Sequence, residues 1–171
     1  MRTITVRIYT FDELNDKSKE KAIGNLSDIN ISHEWWDYTF EDAENIGLKI
    51  SAFDIGRGSY VKGKFIYSAA EVAANILRDH GEKCDTYRTA EDFLTTWQPV
   101  FNDYMDEEHE NYESRESEDK LQEIEEEFLR SLCEDYRIML QKNYEYLTSG
   151  EAIIETIQAN EYEFTENGEL Y

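Results

Sequence analysis

Proline occurs once in 171 residues, cysteine twice, and basic side chains 17 times against 39 acidic ones, for a formal net charge of -22. With a single proline and no stretch rich in Gly or Ser, the chain offers no linker between separate domains. Two cysteines, Cys84 and Cys133, fall short of the dense framework of a small secreted domain, so both are expected to be reduced. No run approaches 18 consecutive apolar residues and the first residues lack an apolar core segment, so neither a membrane span nor a secretory signal is expected, which points to the cytoplasm. The shortage of Lys and Arg argues against direct binding to nucleic acid, whose phosphates require a basic surface. Mean hydropathy is low, at -0.75. Disordered chains are also poor in aromatics, however, and this one carries 3 Trp, 12 Tyr and 8 Phe, which argues for a folded domain with an over-charged surface. The expected organisation is one domain over 1–171, with 1–88 and 89–171 as sub-lobes. That length suffices for a core burying roughly 70% of the unfolded chain's surface.

The charge is uneven. Asp103 to Glu127 holds 13 acidic residues against Arg115 and Lys120. Periodicity places the structural elements around this segment. Alternation of Ile4, Val6 and Ile8 with Thr3, Thr5, Arg7 and Tyr9 predicts a first strand over 2–9 with the aliphatic residues on the buried face. Asn15 offers an N-cap to a helix through Ala22, Ile23 and Leu26, and a second helix is expected from His33 to Ile46, closed by Gly47. Segments 48–53 and 59–67 return to strand periodicity, joined by Asp54-Ile55-Gly56-Arg57-Gly58. Ser68 with Glu71 is a capping box. A fourth helix should open at Thr89, with Pro99 kinking it or starting a new segment. Leu121, Ile124, Phe128, Leu132, Tyr136 and Met139 form the apolar stripe of a long fifth helix. A short sixth helix holds Ile153, Ile154 and Ile157, and a turn at Glu166-Asn167-Gly168 predicts a terminal hairpin. The order βααββααααβ(β) fits an α+β fold: a small antiparallel sheet, containing strands 2–9, 48–53 and 59–67 together, with helices packed on it and a helical, strongly acidic C-terminal half.

Three constellations are candidates for chemistry. His33-Glu34-x-x-Asp37 resembles the start of a zincin helix, where two His one turn apart hold zinc and Glu acts as base. Here Asp stands in the second His place and no third ligand is evident, so a solvated helix start is favoured and no metal is expected. His80, Cys84 and Cys133 lack the CxxC or HxxxH spacing of a metal site, and a nucleophilic Cys would need a base such as His80 or His109 beside it. The 54–58 segment has glycine N–H groups and Arg57 for an anion, yet it lacks both the GKS/T ending of a P-loop and the GxGxxG spacing, so a hairpin turn is favoured. No cofactor is expected.

The acidic segment reads as a solvated face or as a surface that docks a basic partner. A divalent-cation site is disfavoured because nothing matches a DxDxDG loop. Carboxylates one helical turn apart stand about 5–6 Å from one another, a spacing that a groove built for phosphates would accept, which makes nucleic-acid mimicry one form of the docking reading. The expected partner-binding residues are Asp103, Asp106, Glu107, Glu108, Glu110, Glu113, Glu123, Glu126 and Glu127, joined by Trp35 and Trp36, whose adjacency on one helix would direct them about 100° apart and make burial of both in one core awkward, although a core place is favoured for the pair over a partner-facing one.

The opening strand followed by Phe11-Asp12-Glu13-Leu14, then Lys19-Glu20-Lys21-Ala22-Ile23, Glu34-Trp35-Trp36-Asp37, Phe53-Asp54-Ile55-Gly56-Arg57-Gly58 and Tyr162-Glu163-Phe164-Thr165-Glu166-Asn167-Gly168 carry a resemblance. End to end, the chain resembles a family of small uncharacterised proteins from bacteriophages and mobile elements of gut bacteria. The resemblance implies a phage or prophage context, in which small acidic proteins inhibit host enzymes or defence systems. The expectation that follows is a non-enzymatic accessory protein binding a basic host protein through its acidic face. The alternatives are a small metal-dependent hydrolase using His33, Glu34 and Asp37, and an antitoxin-like partner.

Overall fold

A computed structural model describes residues 6–171, whose strands and α-helices follow the order expected, β1 α1 α2 β2 β3 α3 α4 α5 α6 β4, with a short 3-10 helix at Phe11–Glu13 after β1, and 59% of the described residues are helical. The α+β class is therefore borne out. The single three-stranded sheet is not. The described residues form two two-stranded antiparallel sheets, one pairing β1 (Ile8–Thr10) with β4 (Glu163–Thr165) and one pairing β2 (Leu48–Asp54) with β3 (Tyr60–Phe65). Alternation marks a strand without naming its partner. The chain divides into two compact units, Met1–Trp35 with Lys142–Tyr171, and Trp36–Gln141.

In the first unit, Tyr9 lies opposite Phe164, which is fully buried. This register inverts the expected strand face: Tyr9 packs on the core while Val6 and Ile8 are exposed. Residues 2–5 of the expected strand lie outside the described residues. Asn15 caps α1 (Asp16–Asn25) by accepting from the Ser18 N–H at 3.0 Å, and Ser149 caps α6 (Gly150–Ala159) in the same way through Ala152 at 3.2 Å. Phe11, Leu14, Ala22, Ile153, Ile157 and Phe164 form the core. Polar ties join the same distant segments. The Ser18 hydroxyl donates to the Glu166 carbonyl at 2.7 Å, Asn30 donates to the Leu147 carbonyl at 3.0 Å, and the Thr156 hydroxyl donates to Asn30 at 2.7 Å. Gly168 sits at φ +75°, where a β-carbon would collide with the Ser18 backbone carbonyl, so only glycine closes this turn. Beyond it a single bridge, Phe164 to Leu170, is what forms of the terminal hairpin.

The second unit begins with α2, which runs Asp37–Ile46 and so starts four residues later than the spacing predicts, because residues 33–36 form turns. Gly47 ends it at φ +96°, with Tyr67 and Val72 packed against the place a side chain would occupy. The β2–β3 hairpin buries Leu48 and Ile50. The Ser68–Glu71 capping box forms in full and opens α3 (Ala69–Asp79). Helix α4 begins at Asp85 and continues to Met105 straight through Pro99. Pro99 is on the exposed side, where water can satisfy the carbonyl it strands, while Trp97 and Phe101 stack across the same point at 4.3 Å between ring centres. Helix α5 spans Arg115–Leu147, and its residues as far as Gln141 belong to this unit. Phe93 of α4 stacks on Phe128 of α5 at 4.2 Å and 12°, and Leu132 and Tyr136 are fully buried below. Among the described residues no helix is long and apolar enough to cross a membrane.

Candidate functional site

The pairing of α4 with α5 builds the most informative surface. Thr89 donates to Asp135 at 2.8 Å, Phe93 stacks on Phe128, and the Trp97 indole donates to Glu125 at 3.1 Å, so the two helices run antiparallel with large rings between their backbones. Those rings hold the helices apart and leave a groove of about 390 Å³. Its floor is Phe93, Ile124 and Phe128, and its rim carries Asp92, Glu123 and Glu127. Arg130, also at the rim, is paired with Glu127. Of the residues expected to bind a partner, Glu123 and Glu127 thus border an apolar slot, and Glu126 stands exposed one turn from Glu123, accepting from Gln122.

The other carboxylates expected to bind a partner lie at the end of α4 and on the α4–α5 connection. Asp103 is on the last turn of α4, and Asp106, Glu107, Glu108 and Glu110 are exposed on the turns that follow. The connection is ordered by its own polar bonds. The Glu113 N–H donates to the Tyr104 carbonyl at 3.0 Å with Glu113 at φ 44°, and the His109 ring accepts from the Asn111 N–H at 3.2 Å and faces Asp103 at 3.8 Å. His109 is therefore held locally, with no cysteine among its partners.

Trp35 and Trp36 are placed differently from expectation. Both lie in the turn before α2 rather than on a helix, and both are half-buried, Trp35 packing on Tyr144 at 5.8 Å and Trp36 on Phe53 at 5.4 Å. His33 and Glu34 share that turn, and only Asp37 is helical, so the one-turn spacing of a zincin helix is not present. Among the described residues no three His, Cys, Asp or Glu side chains are grouped to hold a metal ion.

His80, Cys84 and Cys133 do not converge. Cys133 packs against the Gly63 backbone of β3, and burial pushes its thiol up. Cys84 is exposed and shares with His80 a cavity of about 530 Å³ that also takes in Asp42, Thr86 and Asp135. Both His80 ring nitrogens have protein partners: Nδ1 and the Thr86 hydroxyl are 2.7 Å apart, and Nε2 is 3.5 Å from Asp42. No ring nitrogen remains to act as a base toward Cys84. The Tyr136 hydroxyl donates to the other Asp42 oxygen at 2.8 Å. The His80 contact, with Tyr136, holds the Asp42 carboxyl below its usual range, whereas burial pushes Tyr136 far up. Burial also raises Asp135, whose one hydrogen bond, from Thr89, only partly compensates. In the 54–58 turn, Asp54 accepts from the Gly56 N–H at 2.6 Å, so the turn supplies its own anion.

The acids are legible in the sequence, and the groove that Glu123 and Glu127 border is not. Phe93 and Phe128 read as core stripes on separate helices, and Asp92 fell outside the dense acidic run, because nothing in the spacing of either helix says which faces the other. Comparison of the chain with protein-family models, with curated proteins and with solved structures finds no match.

Proposed function

We propose that the chain is a non-enzymatic binding protein, an accessory protein of a phage or prophage, that docks a basic host protein against the acidic α4–α5 face. The reading is supported by one observation above the rest: carboxylates that repel one another border an apolar groove instead of lying on an evenly solvated surface. Like charges one helical turn apart cost about 0.2–0.5 kcal/mol per pair, and a much smaller net charge would keep the chain soluble. A basic partner offsets that repulsion. Its arrival is steered by the field and is therefore fast and sensitive to salt, since screening acts over about 10 Å at 0.1 M.

Changing Glu107, Glu108, Glu123, Glu126 and Glu127 to Gln should lower capture of a basic protein from host lysate and flatten its salt dependence, with the melting temperature unchanged or raised. Capture that is equal for both proteins and indifferent to salt would show that these carboxylates only solvate the surface.

A further inference from the structure

The groove itself restricts what a basic partner must look like. Its walls are the Thr89–Thr96 stretch of α4 and the Glu123–Ser131 stretch of α5, each about two helical turns long. Both walls are helices whose backbones are internally satisfied except at the Thr95 carbonyl that Pro99 strands on the exposed side of α4, so the groove has no row of N–H and C=O groups to pair with an added strand. An extended peptide laid there would bury its own backbone groups against Phe93, Ile124 and Phe128 without partners, at a cost of about 1–3 kcal/mol each. A helix brings its backbone already bonded, and side chains recurring every three or four residues match the ridges that two packed helices present. The floor is apolar and narrow, which suits large aliphatic or aromatic anchors. The rim sets Asp92, Glu123 and Glu127 against the single guanidinium of Arg130, which suits Lys or Arg flanking those anchors.

Resting on the docking reading above, we infer that the α4–α5 groove seats an amphipathic basic helix of the partner, with an apolar anchor row at i, i+3 or i+4, and i+7 on the floor and cations on the Asp92, Glu123 and Glu127 rim. The volume, about 390 Å³, is that of a small concave binding site. Anchors of this kind carry most of the affinity of helix-in-groove complexes, while rim charges set rate and salt dependence.

The probes are two synthetic peptides of about 18 residues with identical lysine content, one with leucine at the anchor positions and one with glutamine there. Binding is measured at low and high salt to the wild type and to two plugged variants, Ser131→Phe and Thr96→Phe, one on each wall. Neither plug changes the charge, and melting curves establish that each folds. The leucine peptide should bind at least about tenfold more tightly than the glutamine peptide, and either plug should remove that advantage while leaving the weak, salt-sensitive binding of the glutamine peptide intact. Equal binding of the two peptides would overturn the groove and leave the acidic face standing as a diffuse electrostatic surface. A leucine advantage that survives both plugs would place the seat elsewhere and equally overturn the inference. If neither peptide binds even at low salt, the docking reading falls with it.

Discussion

The smaller core draws its six buried side chains from both ends of the chain, whereas the larger draws fourteen from a continuous stretch between residues 43 and 136. In the first, Phe11, Leu14 and Ala22 meet Ile153, Ile157 and Phe164 across more than 130 positions of sequence, and the pairing of β1 with β4 spans a similar gap. In the second, neighbours in sequence are neighbours in space: β2 pairs with β3 through a hairpin, and α2, α3, α4 and α5 follow one another around it. A core closed over long separations must meet a large loop-closure entropy with few apolar contacts. Both units add polar ties between distant segments, through Ser18, Asn30 and Thr156 in the first and through Tyr136 to Asp42 and Thr89 to Asp135 in the second, but the second has stacked rings and more fully buried aliphatics besides.

The strongest test of that contrast removes the ring on which the smaller core turns. Phe164→Ala should cost about 3–5 kcal/mol and, with so few neighbours to collapse around the hole, free the amides of α1 and α6 to exchange while those of α3 and α4 stay protected. Loss of protection spread equally over both units would erase the distinction. A smaller effect is expected from Tyr136→Phe in the larger core, which leaves the packing in place and removes only the hydroxyl bonded to the Asp42 carboxylate. The loss should be about 1.5–3 kcal/mol by denaturant titration at neutral pH. Because the Asp42 carboxyl is held below its usual range, its contribution is present above the ordinary aspartate range and disappears as pH falls through the lowered value, so the variant and wild type should converge in acid. The smallest expected effect has the opposite sign. Asp135 is raised by burial, so its charged form at neutral pH opposes folding, and this opposition fades as pH falls through the raised value. Asp135→Asn keeps an oxygen for the Thr89 hydroxyl and should raise the melting temperature slightly at pH 7 and not at pH 3. A lower melting temperature would mean that the Asp135 charge stabilises the larger core.

The same contrast explains which parts of the molecule were legible from the sequence. Features fixed within a few residues were readable: the Asn15 cap, the Ser68–Glu71 capping box, the Gly47 terminator and the 48–65 hairpin. Features decided by a distant partner were not. Alternation in 2–9 suggested burial of Val6 and Ile8, but Phe164, more than 150 residues away, selects Tyr9 for the inner face. Pro99 reads locally as a break, yet its solvent-facing position and the Trp97–Phe101 stack carry α4 through it. The Trp35–Trp36 pair suggested one helix with two diverging faces, and the turn at 33–36 instead delivers the two rings to different aromatic neighbours. At the candidate site, the carboxylates were visible because charge density is a local property. The floor beneath them was hidden, since it exists only once Phe93 and Phe128 are stacked.

The placement of the larger unit within the chain has a consequence for biosynthesis. Residues 36–141 are spliced between the two halves of the smaller unit. As the ribosome advances at about 5–20 residues per second, α1 and the strand ahead of it emerge first and wait on the order of ten seconds for the segments that complete their core. During that interval the middle of the chain can reach its own fold with all its partners already synthesised. The N-terminal segment meanwhile stays open to chaperones and proteases, and becomes protected only after β4 has left the exit tunnel.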